Sequence, residues 1–185
     1  MKQAAELEAM AEAHLLGGRP EEAAELCELH IDDSPPSIVM LRILTAACER
    51  LGRMERAYEV ALKWATLAPF DPYVHYKLGM LEQSRGQFRE AAARYALVRN
   101  IAGDETEVGR AAGDAMQTLD IVQLQQIGAL AEIDVAFRKR LRQDVQAAVE
   151  ERGFVLSNRG LMTVAHAAAA VDEPRGKPLG GTYYQ

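Results

Sequence analysis

The side chains with the widest chemical range here are four histidines, two cysteines and many carboxylates, and their spacing sets them to no common reaction. His14, His30, His75 and His166 are scattered along the chain, and no Cys/His spacing fits a metal site. His14 and His30 fall at inward helical positions within reach of each other, where a histidine satisfied inside a core outweighs a metal ligand. His166 sits in an alanine-rich stretch with no acid near it in sequence. No serine stands in a nucleophile-elbow sequence. Neither a GxxxxGK[ST] loop nor a GxGxxG turn after a strand is present. Most carboxylates occupy positions that a helix turns toward water, where they act as solubilising charge. The chemistry left to these residues is recognition. No catalytic residue, metal or cofactor is expected, and the chain is read as not an enzyme.

Two clusters could serve recognition directly. Arg138, Lys139, Arg140 and Arg142 form the one concentrated positive patch, while residues 1–34 carry nine carboxylates against Lys2 and Arg19. The patch suits an acidic partner, or the acidic segment of a second copy in a homo-oligomer that salt would weaken. The favoured reading is the wet face of a helix whose Phe137 and Leu141 point inward. At the end of the chain, Gly180 and Gly181 precede Thr182, Tyr183, Tyr184 and Gln185. That end reads as a site of processing or modification bearing Tyr183 and Tyr184, or as a flexible tail with a glycine joint.

The overall balance narrows the partners. A formal net charge of −6 argues against general nucleic-acid binding, which depends on neutralising phosphates. No apolar run is long enough to span a membrane, and the charged N-terminus lacks the apolar core of a signal peptide. Cys27 and Cys48 both fall at inward positions and read as buried thiols of a reducing, cytoplasmic compartment.

The elements that carry these residues repeat. Gly18, Gly52 and Gly86 are 34 residues apart, as are Ala23, Ala57 and Ala91, and Pro35, Pro69 and Gly103 close each unit in the same register. A fixed period of this size is the mark of stacked helical hairpins. Each unit reads as helix, glycine turn, helix, breaker. In the first, Leu7, Met10, Ala11 and His14 share one face. Gly17 and Gly18 end that helix, Pro20 opens the next, and Ala23, Leu26, Cys27 and His30 face inward. The second unit repeats this with Leu41, Leu44, Thr45, Cys48, Ala57, Ala61 and Trp64. The third does so with His75, Leu78, Gly79, Phe88, Ala91, Tyr95 and Val98. Gly79 and Ala91 mark points where two helix axes approach closely. The fold class is therefore all-α.

The third unit, with Leu78-Gly79, Ala91 and Tyr95, resembles the tetratricopeptide repeat family, and Ala23 with Pro35 and Ala57 with Pro69 match in the first two. Ala11 and Thr45 stand where the family prefers a small glycine, and Cys27 and Ala61 where it prefers an aromatic. The resemblance covers residues 4–103. It implies a right-handed α-solenoid of three hairpins; capping helices are expected after it over 104–133, a small helical segment over 134–171 and, from its Pro/Gly-rich composition, a disordered tail over 172–185. It further implies a concave groove lined by the first helix of each unit: Glu8, Glu12, Val39, Arg42, Ala46, Tyr73, Tyr76, Lys77 and Met80. Some family members grip a partner's C-terminal carboxylate there. Glu8 and Glu12 oppose that use, because desolvated acidic side chains repel an anionic end. The groove instead suits a peptide or helical segment with an apolar or aromatic anchor against Tyr73, Tyr76 and Met80.

Beyond Gly103 the phase is lost. One amphipathic helix is expected over 105–118, and Asp120 with Gln123 resembles a capping box opening another whose stripe is Ile121, Leu124, Ile127, Leu130 and Ala131. Asp134 then caps a helix running to Arg152, Gly153 ends it, and Ser157 or Asn158 starts a last helix to about Val171. Residues 134–181 resemble nitrile-hydratase-like leader peptides, which often end in Gly-Gly, and also the small helical domains of extradiol dioxygenase accessory subunits. The expected function is that of an adaptor or scaffold holding a protein or peptide in its groove to assist assembly of a complex. The alternative is a precursor or carrier whose C-terminal tail is acted on by partner enzymes. A third reading is an accessory subunit of an enzyme complex.

Overall fold

The computed structural model describes residues 2–32 and 37–170. Among the described residues all regular structure is helical. The chain forms two compact units, one through Gly113 and one from Asp114.

The first unit holds α1 (Lys2–Leu16), α2 (Pro20–Leu29), α3 (Ile38–Arg50), α4 (Met54–Leu67), α5 (Pro72–Ser84) and α6 (Phe88–Ala102). Each helix packs on the next, and α1 also reaches α3. The 34-residue period is written into the backbone hydrogen bonds. Arg19 N donates to His14 O at 2.9 Å, Arg53 N to Cys48 O at 2.8 Å and Gln87 N to Glu82 O at 2.9 Å. One residue earlier in each unit, the N–H of Gly18, Gly52 and Gly86 donates to the carbonyl of Leu15, Glu49 and Gln83. These paired bonds are the helix-ending motif that requires a left-handed residue, and the three glycines take φ of 73°, 69° and 74°. Pro35 lies outside the described residues.

The alanines at the matching positions Ala23, Ala57 and Ala91 are fully buried. They lie where consecutive helices meet, and their small size sets how close the axes come. The core runs through Ala11, Leu15, Cys27, Leu41, Leu44, Val60, Trp64, Val74 and Leu78. Met10 departs from the expected inward face and is exposed, with Leu15 taking the buried place. Burial pushes the Cys27 thiol up to about 12, so it stays protonated. Ion pairs brace successive repeats on the surface. The Arg56 guanidinium meets both Glu28 oxygens, at 2.8 and 2.6 Å, and Lys77 meets Glu49 at 2.7 Å.

The second unit departs from two expectations. The predicted break near residue 119 is absent, because α7 (Glu107–Ile133) is one helix, which begins in the first unit. Asp120 and Gln123 therefore cap nothing in sequence and lie buried in mid-helix. Both reach sideways to the segment before α10 (Asn158–Ala170). Gln123 donates through Nε2 to Val155 O and accepts through Oε1 from Val155 N, both at 2.7 Å. Asp120 accepts from Ser157 N at 2.9 Å and from the Ser157 hydroxyl. Ser157 in turn accepts from Gly160 N at 3.2 Å, which makes it the N-cap of α10. A Cβ at Gly160 would stand 2.9 Å from the Asp120 carboxyl, so glycine lets α10 start against that carboxylate.

The expected single helix from Asp134 to Arg152 is instead α8 (Val135–Gln143) and α9 (Val145–Glu151). Asp144 breaks it with extended backbone and offers its own carboxylate to Ala147 N at 3.0 Å. A short acidic side chain competes in this way with the helical ladder. Phe137, Leu141, Ala148, Val149, Ile127 and Val164 form the core of the unit.

Replacing Gln123 with leucine keeps the volume and removes both partners of Val155. The expected loss is about 2 kcal/mol for backbone groups left unpaired. The measurement is urea unfolding together with amide exchange at Val155. Unchanged protection at that amide would show that the side-chain pairing does not hold the segment.

Candidate functional site

Three first-of-pair helices, α1, α3 and α5, surround an open, largely apolar cavity of about 570 Å³ in the first unit. Such a volume lies within the range of sites that take small ligands or peptide side chains. Among the residues expected in the groove, Glu12, Arg42, Ala46, Tyr73, Tyr76 and Lys77 line it. The other three lie elsewhere. Glu8 accepts from the Ser37 hydroxyl at 2.5 Å, beside the start of α3. Val39 packs partly against the core, and Met80 is exposed away from the lining.

Helical spacing accounts for the convergence. Arg42 and Ala46 are four apart on α3, and Tyr73, Tyr76 and Lys77 follow three- and four-residue steps on α5, so each set shares a face. Tyr73 is 59 % exposed and presents its ring to solvent. Tyr76 is half-buried, its ring 6.0 Å from that of Tyr95 and tilted by 50°. This is an edge-leaning aromatic contact that holds the Tyr76 ring in place. Lys77 spends its charge on Glu49. Among the described residues Glu12 and Arg42 have no hydrogen-bond or ion-pair partner, so the lining keeps one carboxylate and one guanidinium for a ligand.

Six lining residues were not expected in the groove: Leu15, Leu16, Ile43, Thr45, Trp64 and Asp71. Leu15 and Ile43 are core residues whose edges reach the cavity. Trp64 lines it from α4, and its Nε1 donates to Asp71 Oδ2 at 3.1 Å. The other Asp71 oxygen accepts from Tyr73 N at 2.9 Å, which caps α5. Asp71 thus ties the indole to the turn that carries Tyr73. The signal was present in Asp71-Pro72, an N-cap followed by proline at the first helical position, but nothing local links it to Trp64.

The arginine cluster of α8 is partly committed. Arg138 donates to Ala131 O at 2.8 Å at the end of α7, and Arg140 pairs with Glu151 at 2.9 Å. Gly180, Gly181, Tyr183 and Tyr184 lie outside the described residues. Among the described residues no cluster of His, Cys, Asp and Glu is placed to hold a metal ion. No helix among them is long and apolar enough to cross a membrane. Comparison with protein-family models and with curated proteins returns no match.

Proposed function

We propose that the chain is a tetratricopeptide-type adaptor, a right-handed α-solenoid of three hairpins whose concave side holds a peptide or helical segment of a partner protein and helps assemble a complex. The observation that carries this reading is the cavity itself. It is built by the first helix of each of three successive repeats and walled by Tyr73, Tyr76 and Trp64. Aromatic residues of this kind supply most of the energy at protein interfaces. Glu12 and Arg42 set the polarity: a bound segment presents a large apolar or aromatic anchor to the tyrosines, with flanking charges that answer the two.

Selection of a displayed random-peptide library on the full chain tests this. Enriched peptides carry an aromatic or large aliphatic anchor. Tyr73→Ala weakens them about thirtyfold, corresponding to a central interface residue worth about 2 kcal/mol. Tyr73 is the cleaner choice, because Tyr76 also packs on Tyr95. Peptides whose affinity is indifferent to Tyr73→Ala and Tyr76→Ala would reject the groove as the binding surface.

A further inference from the structure

The second unit contains a cavity that the adaptor reading does not use. It is an open slot of about 460 Å³ between the C-terminal half of α7, α8 and α10. Ile127, Leu141 and Val164 line it and belong to the core of the unit, so the slot opens directly onto that core. Gly128 faces it from α7, and Ala167 and Ala168 from α10. A Cβ built on Gly128 meets nothing within 4 Å, which leaves the α7 side bare at that point. Two polar groups of the lining bond inward: Arg138 donates to Ala131 O at 2.8 Å and the Thr163 hydroxyl to Arg159 O at 2.9 Å. What the slot offers an occupant is therefore apolar contact, which unfilled space beside a core forfeits.

The chain itself leaves from the edge of this slot. Ala167 and Ala168 line it, and α10 ends at Ala170, within the next turn. Residues 171–185 follow and lie outside the described residues. Their composition is divided in two. Residues 172–178, DEPRGKP, are polar, and Gly176 stands between Pro174 and Pro178, a pattern that reverses a chain. Leu179, Tyr183 and Tyr184 then bring large apolar groups. Leu179 is nine residues past Ala170, a reach of at most about 30 Å. The stretch of α10 from Thr163 to its end covers only about 11 Å. The segment thus has the length to turn and come back along the helix it left.

We infer that the slot is the docking site of the chain's own C-terminal segment, with Leu179 inserted between Gly128 and Ala167 and Tyr183 covering the opening. Tethering selects this occupant. A separate ligand or a second copy must reach the slot from solution, whereas Leu179 is held beside it at an effective concentration on the order of millimolar. A contact as weak as about 0.1 mM then keeps the slot closed about nine-tenths of the time. Leucine and tyrosine supply that contact by moving apolar surface out of water. The inference stands apart from the peptide groove, and neither depends on the other.

Limited digestion of the full chain with chymotrypsin tests it, with cleavage after Leu179 and after Tyr183 followed by mass spectrometry. Both bonds are expected to be cut about tenfold more slowly than in the synthetic peptide of residues 171–185, the factor that nine-tenths closure implies. Gly128→Leu fills the slot and restores the peptide's rate, while the thermal unfolding midpoint holds or rises because leucine is the better helix former. Ala167→Leu does the same from the α10 side. Leu179→Asp removes the anchor and speeds cleavage after Tyr183 by the same factor. Protection is unchanged when the protein is diluted a hundredfold, since tether and target share one chain. Cleavage of the unaltered chain at the peptide's rate would overturn the proposal. So would protection that survives both slot-filling substitutions in folded protein. Protection lost on dilution would overturn it too, assigning the slot to a second copy.

Discussion

Tyr95→Ala is expected to remove about 3–5 kcal/mol from the stability of the first unit, as truncation of a fully buried aromatic residue does. Tyr95 has no exposed surface, and its hydroxyl donates to Gln83 Oε1 at 2.9 Å. Its ring lies on the bare backbone of α5: a Cβ built on Gly79 would stand 2.7 Å from Cε1 and 3.0 Å from Cδ1. The two positions are therefore coupled, and Gly79→Ala changes sign with its background. With Tyr95 in place the methyl group collides with the ring, and overpacking of this kind costs about 1–3 kcal/mol, against about 1 kcal/mol gained in helix propensity. With alanine at 95 the collision is gone and the propensity gain remains. Urea unfolding of the four corners of this cycle gives a coupling energy on the order of 2 kcal/mol. A Gly79→Ala change that stabilises the chain carrying Tyr95 would show that the ring is not wedged against α5.

That pair was legible in the sequence because both members sit in the repeat register. Gly79 and Tyr95 stand at the small and large positions of one hairpin, and the period fixes which faces meet. The glycine turns were legible for the same reason, since a left-handed residue at each helix end leaves a mark that depends only on its immediate neighbours. Legibility fails where a side chain answers to something distant. Asp120 and Gln123 have the spacing of a helix start, yet their partners are Val155 and Ser157, more than thirty residues on, and burial against that segment lets the helix run through them. Asp144 shows the reverse error. The apolar spacing of Leu141, Val145 and Val149 continues across it, so periodicity sees one helix where the carboxylate ends one and caps the next. In the groove, residues on α3 and α5 could be placed by face, while Trp64 joined only through the folded turn.

The same limit hides a buried charge of the first unit, and it supports the second large effect. Glu82 follows Cys48 and His14 at the repeat interval and is 2 % exposed, an unusual place for a carboxylate. Its Oε1 accepts from Arg94 Nε at 3.3 Å, while Oε2 has no partner at normal hydrogen-bond geometry among the described residues. Arg94 also donates through Nη1 to His75 Nδ1 at 3.2 Å. His75 Nε2 lies 2.8 Å from Pro69 O, and a carbonyl only accepts, so the ring proton sits on Nε2 and Nδ1 is free to receive the guanidinium. Arg94 thus links a buried acid to a neutral histidine on the same helix, α5. Arg94→Ala is expected to cost about 3–5 kcal/mol near neutral pH, because it strands an uncompensated buried charge. Arg94→Lys recovers only part, since a point charge cannot serve both partners with the geometry of a planar fork. Glu82→Gln in the Arg94→Ala background recovers more, by removing the stranded charge.

The pH dependence follows from the direction of the Glu82 shift. Burial raises its pKa above the usual 4.5, with Arg94 and, more weakly, the Tyr58 hydroxyl opposing and the repulsion of Glu90 adding. The folded chain then holds this proton more tightly than the unfolded chain. Glu82 accordingly favours folding most below about pH 4.5, and that contribution is lost as pH rises through the folded value. Losing Arg94 removes the larger of the two partners that oppose the shift, the other being the Tyr58 hydroxyl, so the window widens upward. Stability measured as the difference between Arg94→Ala and Arg94→Ala/Glu82→Gln should therefore turn against the glutamate as pH is raised from 4.5 toward neutrality. The glutamine reference isolates Glu82, because every other group is common to both chains. A difference that is flat with pH, or one that favours glutamate as pH rises, would mean that Glu82 is solvated in the folded chain and that Arg94 holds α5 by packing alone.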